Sequence, residues 1–215
     1  MIRVLAEDVM VQPVVTCLDM EGVLFPEIWL GLAEKVGLDE LRLTTRDISD
    51  YDVLMKKRLQ VLKTHGISIR DIQEVVQGIA PLPGVPEFVD WLRNRCQVII
   101  LSDTFYEFVR PLMKQLGFPT IFCHSLEIDS KGFIANYCLR QKDQKRHAVL
   151  ALKNIGFRVL AGGDSYNDVS MLKEADAGFF FCPPESIAKE YPQFPISRNY
   201  TEFQEYLARA GGFES

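Results

Sequence analysis

Asp19 and Glu21 are two carboxylates two residues apart, placed directly after the apolar run Val14-Val15-Thr16-Cys17-Leu18 and just before Gly22. A β-branched run that ends in acids and a glycine reads as a buried strand stopping at a polar turn, its side chains free to meet a hard cation or a phosphate. Two later runs end in a similar way. Val98-Ile99-Ile100-Leu101 gives way to Ser102 and Asp103, and Arg158-Val159-Leu160-Ala161 leads into Gly162-Gly163-Asp164-Ser165-Tyr166-Asn167-Asp168. Each piece alone also reads as a strand-end turn or a helix cap. In a parallel sheet the carboxyl ends of the strands share one edge, so Asp19, Glu21, Ser102, Asp164 and Asp168 are expected to converge on one crevice.

That set of side chains fits phosphoryl transfer. Mg²⁺ takes oxygen ligands and keeps several waters, so Asp19, Asp164 and a backbone carbonyl suit it, with Glu21 and Asp168 as further candidate ligands. Asp19, in line with the phosphorus, would form an aspartyl-phosphate and split one displacement into two. Glu21 would protonate the departing alkoxide and later deprotonate the incoming water or alcohol. Ser102 offers a hydroxyl to a phosphate oxygen, and a lysine from the third region of the chain would neutralise the phosphoryl oxygens.

The elements that must position these groups follow from periodicity. Apolar runs predict buried parallel strands over 14–18, 97–101, 158–161 and 177–182, with 120–123 a fifth. Helix-period segments at 86–94, 143–155 and 168–174 lie between most of them. This alternation implies an α/β fold with a doubly wound parallel sheet. Residues 26–83 break the rhythm, being almost wholly helical and too long for one crossover, so they are expected to form an inserted helical cap. Its helices are placed at 27–36, 53–63 and 69–78, the last opened by a capping box of Ser68 and Asp71. A smaller insertion at 126–137, turning at Asp129-Ser130-Lys131-Gly132, reads as a β-hairpin flap. The expected organisation is a core of residues 13–25 and 84–215, a cap of 26–83, and a short extension of 1–12.

Composition narrows the partners. The 215 residues are 47% hydrophobic and 25% charged with a net charge of −5, as for a folded protein able to bury a full core. No long basic run supports nucleic acid or an anionic membrane, which leaves a small-molecule partner. No apolar stretch reaches the roughly 18 to 20 residues that span a bilayer, and the start of the chain does not read as a signal peptide. The five cysteines are odd in number and lack metal-pair spacing. They read as reduced core thiols of a cytoplasmic protein.

The order and spacing of Asp19-x-Glu21-Gly22, the strand ending at Ser102, a lysine at Lys145, and Gly163-Asp164-Ser165-x-Asn167-Asp168 resemble the haloacid dehalogenase superfamily of phosphatases. A helical cap after the first motif and a hairpin after the second are similar to its phosphoserine phosphatase branch. Pro26-Glu27-Ile28-Trp29, Thr44-Thr45-Arg46-Asp47-Ile48 and Ser102-Asp103-Thr104-Phe105-Tyr106-Glu107-Phe108 resemble the bacterial members that also transfer the phosphoryl group to homoserine. The resemblance implies Asp19 as nucleophile, Glu21 as acid and base, Asp164 as a Mg²⁺ ligand, and Ser102, Asp103, Lys145 and Asn167 as phosphate or substrate contacts. It further implies that Glu27 meets the ammonium of phosphoserine and Arg58 its carboxylate.

One position departs from the superfamily, most of whose phosphatases carry Asp where Glu21 stands. The extra methylene carries the carboxyl roughly 1.5 Å further out. Water for hydrolysis would then be placed less well, and an alcohol acceptor such as homoserine would compete for the phospho-enzyme. A phospho-accepting signalling module also puts acids at strand ends, but it needs neither a proton donor at Glu21 nor an inserted cap. A dinucleotide binder lacks its glycine fingerprint after the first strand. His65, His124 and His147 have no metal spacing and read as surface or packing residues. Trp29 and Tyr51 either line a substrate pocket or pack between cap helices, and Phe179-Phe180-Phe181 reads as core strand.

Overall fold

The computed structural model describes residues 12–44, 47–48 and 50–213. The expected extension, apart from Gln12, and Thr45-Arg46 lie outside the described residues. Seven strands form one sheet: β1 (Val14–Leu18), β2 (Gln97–Phe105), β3 (Thr120–Ile128), β4 (Ile134–Cys138), β5 (Arg158–Gly163), β6 (Ala177–Phe181) and β7 (Ile196–Ser197). Their order is β4-β3-β2-β1-β5-β6-β7, and every pair is parallel except β3 with β4. This is the predicted α/β sheet with its hairpin.

Both faces of the sheet are covered, which is why its strands read as unbroken apolar runs. Leu18, Ile100, Leu160, Phe179 and Phe181 pack on one face with α4 (Val85–Arg93), α5 (Tyr106–Gln115) and α9 (Tyr200–Gly211). Val15, Cys17, Leu101, Val159, Ala161 and Phe180 pack on the other with α6 (Gln144–Asn154), α7 (Val169–Glu174) and α8 (Glu185–Glu190). Of the cysteines, Cys17 and Cys123 are buried, whereas Cys182 is exposed, contrary to a uniform set of core thiols. No helix among the described residues is long and apolar enough to cross a membrane.

Between β1 and α4 lie α1 (Ile28–Val36), a 3₁₀ turn over Asp39–Arg42, α2 (Tyr51–Thr64) and α3 (Ile69–Gln77). The Ser68/Asp71 capping box opens α3 as its sequence predicts. Leu32, Leu41, Met55, Leu62, Ile72 and Val76 from this stretch join Phe105, Phe108 and Leu112 in one apolar cluster.

Two features differ from the sequence reading. β2 does not stop at Leu101 but continues to Phe105, with its register against β3 slipping between Leu101 and Phe105. The slip falls on Ser102 and Asp103, so a bulge-like irregularity re-aims their side chains. Helices α5, α8 and α9 and the short strand β7 lie outside the elements placed from the sequence. In α5 the signal is blunted by Pro111, which removes the N–H that would bond the Glu107 carbonyl. That carbonyl accepts instead from Gln73 Nε2 of α3 at 2.9 Å, so the helix break doubles as a docking point.

Candidate active site

Asp19 sits at the carboxyl end of β1, 4% exposed, its backbone N–H bonded to Gly162 O at 2.9 Å. Asp164 and Asp168 follow β5, and one carboxylate oxygen from each of Asp19, Asp164 and Asp168 lies within 4.8 Å of the others. Two glycines permit this approach. A Cβ on Gly22 would stand 2.4 Å from Asp164 Oδ2, and one on Gly163 would stand 2.4 Å from Asp168 Cβ. Gly22 also adopts φ +80°, the left-handed region that favours glycine.

Lys145, in the first turn of α6 and 2% exposed, reaches into the cluster. Its Nζ is 2.8 Å from Asp19 Oδ1 and 2.7 Å from Asp168 Oδ1. Burial opposes its charge, but Asp168, Asp19 and Asp103 hold the proton and raise its pKa well above the usual value. One ammonium does not balance three carboxylates. Burial, and then the Asp168 charge, push the Asp19 carboxyl well above the usual range, and the same two causes push Asp164 up to about 7. An all-oxygen donor set with uncompensated negative charge is what a hard divalent cation requires, so these three residues fit Mg²⁺.

The sheet ends therefore assemble buried acids, one lysine and the Ser102 hydroxyl, the last 1% exposed. Comparison with known proteins gives the same direction. The family model for haloacid dehalogenase-like hydrolase matches residues 17–176. This chain is a haloacid dehalogenase-like hydrolase. It is 57% identical over 196 residues to phosphoserine phosphatase ThrH of Pseudomonas aeruginosa, covering 91% of this chain and 96% of that one. It is 55% identical over 200 residues to a phosphoserine phosphatase of Pseudomonas syringae pv. tomato, covering 93% and 84%. The fold also matches a crystal structure of phosphoserine phosphatase in apo form, with a TM-score of 0.75 at 23% identity over 91% of this chain and 99% of that one. Membership of the family removes the signalling-module reading.

Elsewhere in the hydrolase site, Glu21 is half-buried and not part of the three-carboxylate cluster. Its Oε1 accepts the Ile28 N–H at 2.7 Å, fastening it to the start of α1, so its expected role as a metal ligand finds no support in this geometry. Burial, followed by the charge of Glu27, raises Glu21 to about 7. Glu27 itself is exposed at the N-cap of α1 and makes no side-chain capping bond.

Arg58 of α2 is 7% exposed. Its Nη2 donates to Leu43 O at 2.8 Å, its guanidinium carbon lies 4.4 Å from the Trp29 ring centroid, and Nε has no partner. Burial lowers its pKa to about 10, while Glu21, Tyr51 and Glu27 counter part of that effect. Trp29 thus packs beneath Arg58, and the Tyr51 hydroxyl donates to Asp103 O at 3.2 Å.

Asp103, expected as a phosphate or substrate contact, has both oxygens engaged by protein. Oδ1 accepts from Gln144 Nε2 at 3.1 Å and faces His124 Nε2 at 3.5 Å. Oδ2 accepts from Asn167 Nδ2 at 3.0 Å and lies 3.8 Å from Lys145 Nζ. Burial alone would raise its pKa, but Lys145, then His124, Asn167 and Gln144, hold it well below the usual carboxylate range. Sequence reasoning missed Gln144, since a neutral residue beside a charged run carries no signal. It also placed His124 among packing residues, because Asp103 becomes its neighbour only when β2 and β3 pair. His65 is exposed, and His147 bonds the Lys142 carbonyl away from the acids.

A cavity of about 530 Å³ opens beside this network, lined in part by Tyr51, Asp103, His124, Lys145 and Asn167.

Proposed function

We propose that this hydrolase is a Mg²⁺-dependent phosphatase of O-phospho-L-serine that works through an aspartyl-phosphate on Asp19. The observation that carries the reading is Lys145 Nζ bonded to both Asp19 and Asp168 with Asp164 alongside, a cluster that supports a nucleophile, a cation and a divalent-metal site close together. The substrate comes from the two Pseudomonas relatives at 57% and 55% identity.

Asp19, Asp164 and Asp168 would hold the metal. Bound Mg²⁺ would supply positive charge that offsets repulsion between carboxylate and phosphate. Asp19 attacks phosphorus; the P–O bond to serine breaks, and the leaving alkoxide takes its proton from Glu21. A group with a pKa near 7 suits both halves of such a cycle. The resulting Glu21 carboxylate then deprotonates a water or alcohol that attacks the phospho-enzyme and restores Asp19.

Ser102 Oγ accepts the Thr104 N–H, so its own proton remains free to meet a phosphate oxygen. Lys145 and Asn167 Nδ2 supply further positive charge and a donor nearby. Residues 26–83 act as the cap: Arg58 meets the substrate carboxylate and exposed Glu27 its ammonium, while residues 13–25 and 84–215 form the core. Asp19, Lys145 and Asp168 are almost wholly buried, and the cavity lined by Tyr51, Asp103 and Lys145 offers substrate a way towards them.

Incubation with Mg²⁺ and O-phospho-L-serine, with and without L-homoserine, tests the reading when free phosphate and phosphohomoserine are both measured. Phosphate release supports the phosphatase, and phosphohomoserine formed at its expense adds the transferase. Neither product, with turnover of other phosphate esters intact, refutes phosphoserine as substrate.

A further inference from the structure

Gln144 is 2% exposed and precedes Lys145 at the start of α6. Its Oε1 accepts two donors from Arg140, Nε at 3.1 Å and Nη2 at 2.9 Å. That pair fixes which way the amide points, because guanidinium donates only. Nε2 is thereby aimed at the end of β2, where it donates to Ser102 O at 2.5 Å and to Asp103 Oδ1 at 3.1 Å. Arg140 is held in turn: its guanidinium carbon lies 5.2 Å from the Phe122 ring centroid, and its backbone N–H donates to His124 Nδ1 at 3.1 Å. With Nδ1 accepting, His124 carries its proton on Nε2, facing Asp103.

These bonds converge on the irregular part of β2, where no regular ladder holds the backbone. We propose that Gln144, clamped by Arg140, is a positioning residue for phosphoryl transfer: it fixes the Ser102 carbonyl and the Asp103 carboxylate, and through Asp103 it sets Lys145 and Asn167. The proposal rests on the phosphatase reading. Asp103 is then an internal anion that aims two donors at the phosphoryl group, and the residue after Ser102 serves the reaction without touching substrate. Side chains of this kind typically change activity by about 10- to 100-fold when removed from around a charged centre.

A double-mutant cycle of Gln144→Met and Asp103→Asn tests it, with kcat and KM measured separately on phosphoserine and p-nitrophenyl phosphate. Each single variant is expected to lower kcat about tenfold or more on both esters, with KM within about threefold of the parent. The double variant should match the worse single one, because both act through one carboxylate. Additive losses, or losses confined to KM, would mean that Gln144 does not work through Asp103. Arg140 is exposed, so Arg140→Met frees the Gln144 amide without opening the core, and it replaces Gln144→Met in the cycle should that variant not fold. An unchanged kcat in Arg140→Met, whose parent turns over p-nitrophenyl phosphate, overturns the proposal. Parent turnover of p-nitrophenyl phosphate but not of phosphoserine removes the substrate assignment alone, and the cycle on p-nitrophenyl phosphate still decides the role of Gln144.

Discussion

Lys145 Nζ lies 2.8 Å from Asp19 Oδ1 and 2.7 Å from Asp168 Oδ1, so one buried ammonium ties the end of β1 to the loop after β5. Removing one partner of a buried ion pair leaves the other charge uncompensated, at a typical cost of about 3–5 kcal/mol. Lys145→Met should therefore lose stability of that order in metal-free urea unfolding and recover part of it with Mg²⁺. A variant as stable as the parent would show that the ammonium does not hold the carboxylates together.

The Asp164 carboxyl makes metal-free stability depend on pH. Its folded pKa of about 7 stands above the ordinary carboxylate value of 3.8, so the native state keeps the proton longer than the unfolded chain. Its contribution is present below about pH 4 and falls as pH rises towards 7, at no more than about 1.4 kcal/mol per pH unit. Asp164→Asn removes this term, so in EDTA the variant should gain on the parent across that window, while saturating Mg²⁺ should reverse the order at pH 7. Parallel stability curves for the two proteins in EDTA would contradict the assignment.

How much of this was legible beforehand differs from element to element. β1 lies over Val14–Leu18 as its apolar run predicts, and Asp19, Asp164 and Asp168 meet because parallel strands share a carboxyl edge. The capping box at Ser68 is local chemistry and was readable for the same reason. The protein partners of Asp103 were not legible, because Gln144 at 41 residues' separation and Asn167 at 64 come together only through the sheet. For Arg58 the resemblance alone supplied a role, since neither the Leu43 carbonyl nor the Trp29 face is visible from helical spacing.

Arg58→Ala should separate carboxylate recognition from chemistry. Hydrogen bonds to charged groups contribute about 1.5–3 kcal/mol, so KM for phosphoserine should rise about 10- to 150-fold. A phosphate ester without a carboxylate should be little affected. Equal losses on both esters would take Arg58 out of substrate recognition.

Gly22→Ala probes the room left for Asp164. The added Cβ would meet Asp164 Oδ2 at 2.4 Å in a backbone conformation of φ +80°. Strain of this kind costs about 1–3 kcal/mol, and displacement of Asp164 should also raise the Mg²⁺ concentration needed for half-maximal activity. Thermal unfolding and a Mg²⁺ titration check both effects; an unchanged metal requirement would show that Asp164 is not a ligand.

The central claim is that Asp19 carries the phosphoryl group. Its most direct measurement is acid quenching of the hydrolase within a single turnover of ³²P-labelled phosphoserine, followed by peptide mapping. Hydroxylamine-sensitive label is expected on the peptide that contains Asp19 and none in Asp19→Asn, which should remain folded while losing at least about a thousandfold in kcat. Turnover with no labelled protein, or label on another residue, would contradict it.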